Sequence, residues 1–236
     1  MLLIYKIFSG IILMAFTPFY ASSASPSAPI LECALTTTKP TSPLETIPMP
    51  PIKSGSSRLP SPIMTLAHIA VGRGIQNYTC TGPGAAPVAI GAVATLYDAT
   101  SLAYFSENCL HQVPPRAVYL PLPPPTFTHT SQLGFLSFLG HHFFDAAGTP
   151  VFDLSAKKSI LFAEKKASIK APLGANKGPA KTGAVDWLFL TDKGGKYTSI
   201  GLSQVYRVVT AGGIGPTCLG TGVETVEYAA EYWFYK

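Results

Sequence analysis

The segment Glu224-Thr-Val-Glu-Tyr-Ala-Ala-Glu-Tyr-Trp-Phe-Tyr235 carries the clearest structural signal in this chain of 236 residues. Its side chains alternate at period two, which is the pattern of a β-strand. One face carries Glu227 and Glu231, which we expect to face solvent, and the other is apolar and consists of Val226, Tyr228, Ala230, Tyr232 and Phe234. The segment therefore predicts a strand with one core face.

Five further segments read as strands between Gly-rich or Pro-rich turns: Val88–Ala99, Phe135–Phe144, Val151–Leu154, Ala184–Leu190 and Ser203–Thr210. An Ala-Ala-Gly turn at 146–148 predicts a hairpin. Long segments with apolar residues at helical spacing are missing from the sequence. These patterns predict an all-β protein, either an antiparallel β-sandwich or a distorted β-barrel, with long Pro-rich loops.

Proline marks the organisation of the chain. Nine prolines within residues 22–64, among many Ser and Thr, predict an extended, disordered leader segment. Six prolines between Pro114 and Pro125 predict a loop, so that 101–133 is an insertion between strands. We therefore expect a signal peptide at 1–24, a Pro/Ser/Thr-rich segment at 25–64 and a single β domain at 65–236.

The N-terminus predicts secretion. Lys6 precedes an apolar run, Ile7–Phe16, and Ser22 and Ala24 are placed for cleavage of a signal peptide. The run is too short to span a membrane, so no integral membrane span is expected. Asn77-Tyr78-Thr79, beside Cys80, is an acceptor for N-glycosylation, which has meaning only in a secretory compartment. The sequence predicts an extracellular protein with a glycosylation site at Asn77, and whether that site carries a glycan does not follow from the sequence.

The net charge of +5 is unevenly distributed, because residues 157–181 carry seven lysines against Glu164 alone. Such a segment could attract polyanions, or it could be a solvated loop or edge strand that discourages aggregation. It lacks arginine and has only Phe162 as an aromatic residue, so nucleic acid is not an expected partner.

Six motifs occur in a fixed order, at 74–80, 94–99, 140–144, 185–188, 205–213 and 228–235. The set resembles a family of secreted fungal proteins, with shorter bacterial relatives, that is classed as a domain of unknown function. The resemblance covers roughly residues 66–236. Some members carry an automatically assigned malate dehydrogenase label. The resemblance implies a secreted β domain and supplies no catalytic residues.

The dehydrogenase label can be tested against the residues. A dinucleotide fold needs three glycines between a strand and a helix. Gly72 and Gly74 supply the first two, but Asn77 stands in place of the third, and Tyr-Thr-Cys-Thr-Gly-Pro-Gly follows, which cannot start a helix. Although Asp98 lies near the expected distance for a ribose contact, we expect neither a cofactor nor malate dehydrogenase activity.

Four cysteines in a secreted chain suggest two disulfides, with three possible connectivities. Since none forms a C-x-x-C pair, zinc and redox sites are disfavoured. We predict Cys80–Cys218, which joins two motif regions, and Cys33–Cys109, which fixes the Pro-rich leader to the insertion.

Candidate catalytic residues are His142, Asp186, Arg207 and Glu231. His141 and His142 point to opposite faces of a predicted strand, so only one could join a site, and no metal is expected. Glu227 and Glu231 lie about 13 Å apart along a strand, too far to act as a glycosidase pair. Asp186 and Arg207 are lone charges in apolar segments and predict a cross-strand ion pair.

Trp233 and Tyr235 lie opposite the predicted core face and are candidates for an exposed aromatic platform that binds sugars or proteins. The leading hypothesis is a secreted, disulfide-bonded binding protein at the cell wall or in the extracellular space. Its expected partners are a cell-wall glycan, a polyanion or an extracellular protein. The alternative is an extracellular, hydrolase-like enzyme that uses His142 with an acidic partner. Ligand and oligomeric state do not follow from the sequence.

Overall fold

The computed structural model describes residues 46–123 and 132–236. Its strands are β1 (Lys53–Ser54), β2 (Ser57–Arg58), β3 (Leu66–Thr81), β4 (Val88–Asp98), β5 (Gln132–Leu133), β6 (Leu136–Phe144), β7 (Pro150–Leu154), β8 (Ser159–Ile169), β9 (Trp187–Asp192), β10 (Gln204–Gly212) and β11 (Thr221–Tyr235). Its helices are α1 (Thr100–Phe105), α2 (Glu107–His111) and α3 (Val113–Ala117), with a 3-10 turn at Ser155–Lys157.

Eight of these strands form a closed antiparallel barrel. From β6 to β11 each strand pairs with the next along the chain, β11 pairs with β3, and β3 pairs with β4. Pairing of β4 with β6, in which Ala94 lies opposite His142, closes the ring. The prediction of an all-β sandwich or distorted barrel is confirmed, and the closure makes it a barrel.

Strand β11 is buried on both faces from Tyr228 to Tyr235, although the sequence predicted one core face. Tyr232 and Phe234 point into the barrel and join its interior apolar cluster. Trp233 and Tyr235 point outward and lie in a second apolar cluster, together with residues of the helices. The helices therefore cover the outer face of this part of the barrel.

The insertion between β4 and β6 was predicted to be a loop, and that prediction is wrong for its first part. Helices α1, α2 and α3 form there, each with five or six residues. The Ser106 side chain caps α2 by accepting from the amide of Cys109, and proline occupies the first turn of α3, where no amide donor is needed. Burial of Leu102, Leu110 and Val113 stabilises helices too short to persist alone.

Two other segments differ from the expectation. Within the lysine-rich stretch, β8 pairs with β7 and β9 and so is not an edge strand, whereas residues 170–181 lie outside the strands, as the loop alternative expected. The Pro-rich leader lies partly outside the described residues, but its last part contains the β1–β2 hairpin and the buried Leu59.

Candidate ligand-binding site

A cavity of about 700 Å³ lies inside the barrel. All eight barrel strands contribute residues to its wall, whereas buried side chains such as Leu96, Leu139 and Phe234 fill the rest of the interior. It reaches the surface beside Ala89 and Ile90 of β4 and Lys165 of β8, which are exposed. Its volume lies within the range of about 300–1,000 Å³ that is usual for small-molecule sites.

Most of the wall is apolar. The aromatic contributions come from Phe144 of β6 and Phe152 of β7, and the aliphatic ones from Ala163 of β8 and from Leu188 and Leu190 of β9. Because the strands alternate, these residues share the inward face with a small number of polar groups. An apolar wall with a few placed polar groups is the usual composition of a site for an organic ligand.

His142 of β6 is one of the polar groups of the wall and is 3 % exposed. Its Nδ1–H donates to the carbonyl oxygen of Val151 at 2.9 Å, so Nε2 keeps its lone pair. The ring stacks on Phe152, with centroids 4.2 Å apart. Burial lowers the pKa of His142 to about 4, so the ring is neutral at pH 7. No Asp or Glu of the described residues forms a hydrogen bond with it.

Arg207 of β10 also lines the cavity, and its Nη2 donates to the backbone oxygen of Asp186 at 2.9 Å. The Asp186 carboxylate is turned toward β8, where it lies 3.1 Å from Lys170 Nζ and accepts from Ser168 at 3.2 Å. The predicted ion pair between Asp186 and Arg207 is therefore wrong. Within the described part of the chain, Arg207 Nε is buried without a hydrogen-bond acceptor.

Gln76 of β3 supplies a second donor that lacks an acceptor. The residue lines the cavity and is 7 % exposed, and its Nε2 has no hydrogen-bond partner among the described residues. The hydroxyl groups of Tyr228 and Tyr232 satisfy one another at 2.9 Å. Burial raises the pKa of both hydroxyls, against the opposing effect of the Arg207 cation, so both remain uncharged phenols.

The mouth of the cavity is predominantly cationic. Lys165, Lys193 and Glu164 line it. The Glu164 carboxylate pairs with Lys166, and Lys193 Nζ donates to Thr149 Oγ1 at 2.6 Å. Together with Arg207, the wall carries three cationic side chains and one carboxylate.

Glu231 lies on the opposite side of the barrel wall, beneath the helices. It is fully buried, which corrects the expectation of a solvent-facing glutamate. Its Oε1 lies 2.8 Å from His111 Nδ1, and its Oε2 accepts from Trp233 Nε1 at 2.9 Å. Burial alone would lower the pKa of His111, but the hydrogen bond and charge of Glu231 outweigh it, and the net shift is upward. Burial raises the pKa of Glu231, with His111 opposing.

Arg73 of β3 fastens the insertion to the outside of the barrel. The residue is fully buried and donates twice to the carbonyl of Leu120, at 3.2 Å from Nε and 2.7 Å from Nη2. It also donates to the carbonyls of Gly74 and Tyr228 and forms an ion pair with Glu227. Its role is therefore one of packing.

The structure does not bring the four candidate catalytic residues together. His142 and Arg207 line the cavity, Asp186 presents its carbonyl to Arg207, and Glu231 is bound to His111 outside the barrel. The predicted aromatic platform is also absent. Trp233 and Tyr235 are 0 % and 2 % exposed because the helices cover them.

The Gly72-Arg-Gly74 sequence lies within β3 and precedes no helix. A Cβ at Gly72 would lie 2.6 Å from Tyr232 Cε2, and one at Gly74 would lie 2.6 Å from Ala94 Cα and collide with the carbonyl of Val93. The glycines are therefore required by close contact between strands. An antiparallel barrel provides no strand–helix turn for a dinucleotide at this position.

Cys80 and Cys218, one of the two pairs chosen from the sequence, form a disulfide. The other pair includes Cys33, which lies outside the described residues, as does the proposed signal peptide. Asn77 lies in β3 between Thr225 of β11 and Gly91 of β4 and is partly exposed.

Residues 46–123 and 132–236 were considered for metal-ligating groups and membrane-spanning helices because either would change the class of protein. Within these ranges, no three His, Cys, Asp or Glu side chains are grouped so as to hold a metal ion. The same residues include no helix with the length and apolar character needed to cross a membrane.

The fold and the site define a class of protein: a closed, eight-stranded antiparallel barrel with an apolar interior cavity of small-molecule size. The chain belongs to the family described as "Protein of unknown function (DUF3455)", which matches residues 60–236. The resemblance to a family of unknown function is thereby confirmed. A search of the curated proteins and a search of the solved structures found no match.

Sequence reasoning missed three polar residues that the structure makes important: Gln76 in the cavity, and Arg73 and His111 outside it. The sequence did contain a signal for Gln76: it follows Gly72 and Gly74 at period two, which places all three on one face of a strand. His111 had no such signal, since its partner Glu231 is 120 residues away.

Proposed function

We propose that this chain is a binding protein that takes a small, largely apolar molecule into the interior of its barrel. The observation that carries the proposal is the cavity of about 700 Å³, to which every barrel strand contributes. The interior of an eight-stranded barrel is usually filled by side chains or holds one small ligand. Here the space is lined by apolar groups and reaches the surface, which favours a ligand.

The proposed setting is extracellular or at the cell wall, with the leader at 1–24 acting as a signal peptide and Asn77 as a glycan acceptor. The Cys80–Cys218 disulfide supports this setting, because disulfides persist mainly in oxidising compartments. Partial exposure of Asn77 supports access for glycosylation. N-terminal sequencing of the protein recovered from culture medium, and the mass change caused by Asn77→Gln, test the two parts separately.

Of the partners expected from the sequence, a polyanion keeps its support, because all seven lysines of 157–181 are exposed. The expectation of a glycan bound on Trp233 and Tyr235 is no longer supported, since both side chains are buried. The hydrolase alternative needs a carboxylate within reach of His142, whose Nδ1 meets a carbonyl instead. The binding hypothesis is therefore the better supported one.

Binding of the uncharged fluorescent probe N-phenyl-1-naphthylamine tests the proposal. We expect saturable binding at one site in the wild type. Ala163→Phe fills part of the cavity and should weaken binding, whereas Ala156→Phe, at an exposed position of the 3-10 turn, should not. Ala89→Trp, at the exposed mouth, provides a second variant that places no strain on the interior. If the wild type does not bind, or if neither cavity variant weakens binding, the proposal is wrong.

A further inference from the structure

We infer that the ligand of the barrel is an amphipathic monocarboxylate, an apolar chain or ring with one carboxylate, and that Arg207 binds the carboxylate inside the cavity. The inference rests on the proposed function, since it names the chemical class that the same cavity takes.

The cavity wall has more buried hydrogen-bond donors than acceptors for them. Arg207 Nε and Gln76 Nε2 belong to residues of one cavity wall, and both are buried without an acceptor among the described residues. A buried N–H group without a partner costs free energy, because it has lost its hydrogen bonds to water and gained none in return. A ligand that carries acceptor oxygens would satisfy both groups, whereas a hydrocarbon would satisfy neither.

The cavity wall also carries an excess of positive charge. Arg207, Lys165 and Lys193 line the cavity with Glu164 as the one acidic side chain of the wall. The Glu164 carboxylate is paired with Lys166, and the Asp186 carboxylate near Arg207 is occupied by Lys170 and Ser168. The described residues thus leave the partly buried Arg207 guanidinium without a carboxylate partner, and such a cation favours an anionic ligand.

The other titratable groups inside the barrel do not neutralise this charge. The hydroxyls of Tyr228 and Tyr232 are bound to each other and stay protonated, because burial raises the pKa of both. His142 is neutral at pH 7 and donates to a backbone carbonyl. The ligand must therefore supply the negative charge.

The rest of the cavity wall suits the apolar part of such a ligand. Ile90, Phe144, Phe152, Leu188 and Leu190 line the cavity and offer no hydrogen bonds from their side chains. A small inorganic anion would leave this surface unused, and a sugar would leave its own hydroxyls unsatisfied there. An amphipathic carboxylate matches both parts of the wall.

Competition against N-phenyl-1-naphthylamine at pH 7.5 tests the inference with three ligands of equal chain length: decanoate, methyl decanoate and decanol. We expect decanoate to bind roughly tenfold or more tightly than either uncharged ligand, the ratio that a hydrogen bond to a charged group provides. Arg207→Met should abolish this preference while the probe still binds. Lys53→Met, which removes an exposed lysine of β1, should leave the preference unchanged.

The outcomes separate the two proposals. Probe binding with equal displacement by all three ligands overturns the carboxylate inference and leaves the binding function intact. A preference that survives in Arg207→Met overturns the role of Arg207. Absence of probe binding in the wild type refutes the proposed function itself. If Arg207→Met fails to fold, Arg207→Gln keeps donors for the Asp186 carbonyl and gives the same comparison.

Discussion

At the scale of single residues, two histidines on either side of the barrel wall have pKa values that their surroundings shift in opposite directions. His142 faces the cavity among aromatic rings, where burial disfavours its charged form. His111 lies beneath the helices against the Glu231 carboxylate, which favours its charged form. The two groups should therefore contribute to stability with opposite dependence on pH.

We predict that His142 makes the protein sensitive to acid. Its pKa is about 4 in the folded state against an ordinary value of 6.5, so the unfolded chain binds more protons between these values. The stability that it contributes is complete above pH 6.5 and is lost as the pH falls toward 4, by about 3 kcal/mol. Between pH 7.5 and 4, the free energy of unfolding measured with urea should fall by about this amount more in the wild type than in His142→Gln. A difference between the two free energies of unfolding that does not change with pH would refute the prediction.

We predict the opposite sign for His111. Because its folded pKa is raised above 6.5, its contribution to stability is complete below pH 6.5 and is lost as the pH rises through the folded pKa. In Glu231→Gln the Glu231 charge is gone, while burial and the smaller raising effect of Glu107 remain, so the titration midpoint of His111 should fall. Ring chemical shifts in NMR measure it, with His68 as an internal control. An unchanged His111 midpoint would show that Glu231 does not set it.

Arg73→Met should destabilise the protein. The change removes the donors for the carbonyls of Leu120, Gly74 and Tyr228, and hydrogen bonds to charged groups contribute about 1.5–3 kcal/mol each. We expect a loss of at least one such contribution in the free energy of unfolding, measured with urea. Arg58→Met, at an exposed arginine whose Nη2 donates to the Ser61 hydroxyl, is the matched control and should change little. Equal effects of the two changes would contradict the role given to Arg73.

At the scale of elements, the strands of the barrel depend on positions where a side chain cannot fit. At Gly74 the missing Cβ allows β3 to approach the backbone of β4, and at Gly140 it allows β6 to approach the backbone of β7 near Leu154. Glycine in a strand weakens it unless such an approach is needed. The glycines therefore shape the barrel at the strands that surround its cavity.

Gly74→Ala should reduce stability by about 3 kcal/mol or more, because overpacking against backbone cannot be relieved by a rotamer change. Gly174→Ala, where a new Cβ would meet no atom within 4 Å, is the matched control and should be nearly neutral. Thermal unfolding followed by circular dichroism provides the comparison. A Gly74→Ala protein as stable as the control would show that β3 and β4 can separate at this point.

Period-two patterns in the sequence were sufficient to predict strands whose two faces differ in polarity. The alternation in 224–235 correctly predicted β11 and its inward residues, including Tyr232. It could not show that Trp233 is buried, because the cover comes from helices that are 116 or more residues earlier in the chain. Those helices were missed since five or six residues are too few to establish a period. Strand β8 was not recognised because its exposed lysines hide the apolar alternation of Leu161 and Ala163.

At the scale of the whole molecule, closure of the sheet creates the site. The pairing of β3 with β11 joins the first and last barrel strands, and the Cys80–Cys218 disulfide lies at one end of this junction, where Cys80 pairs with Gly222. No single strand holds the cavity, since its wall takes residues from all eight. For this reason the sequence indicated His142 and Arg207 as unusual residues but gave no sign that they border one enclosed space.

The most direct test of the account is the location of a bound probe. In protein with ¹³C-labelled methyl groups, intermolecular NOEs report which side chains contact N-phenyl-1-naphthylamine. We predict NOEs to the methyl groups of Leu188 and Leu190, which line the barrel interior. NOEs confined to exposed methyl groups such as those of Ile63 and Leu173 would place the probe on the surface and contradict the claim that the barrel is a ligand-binding site.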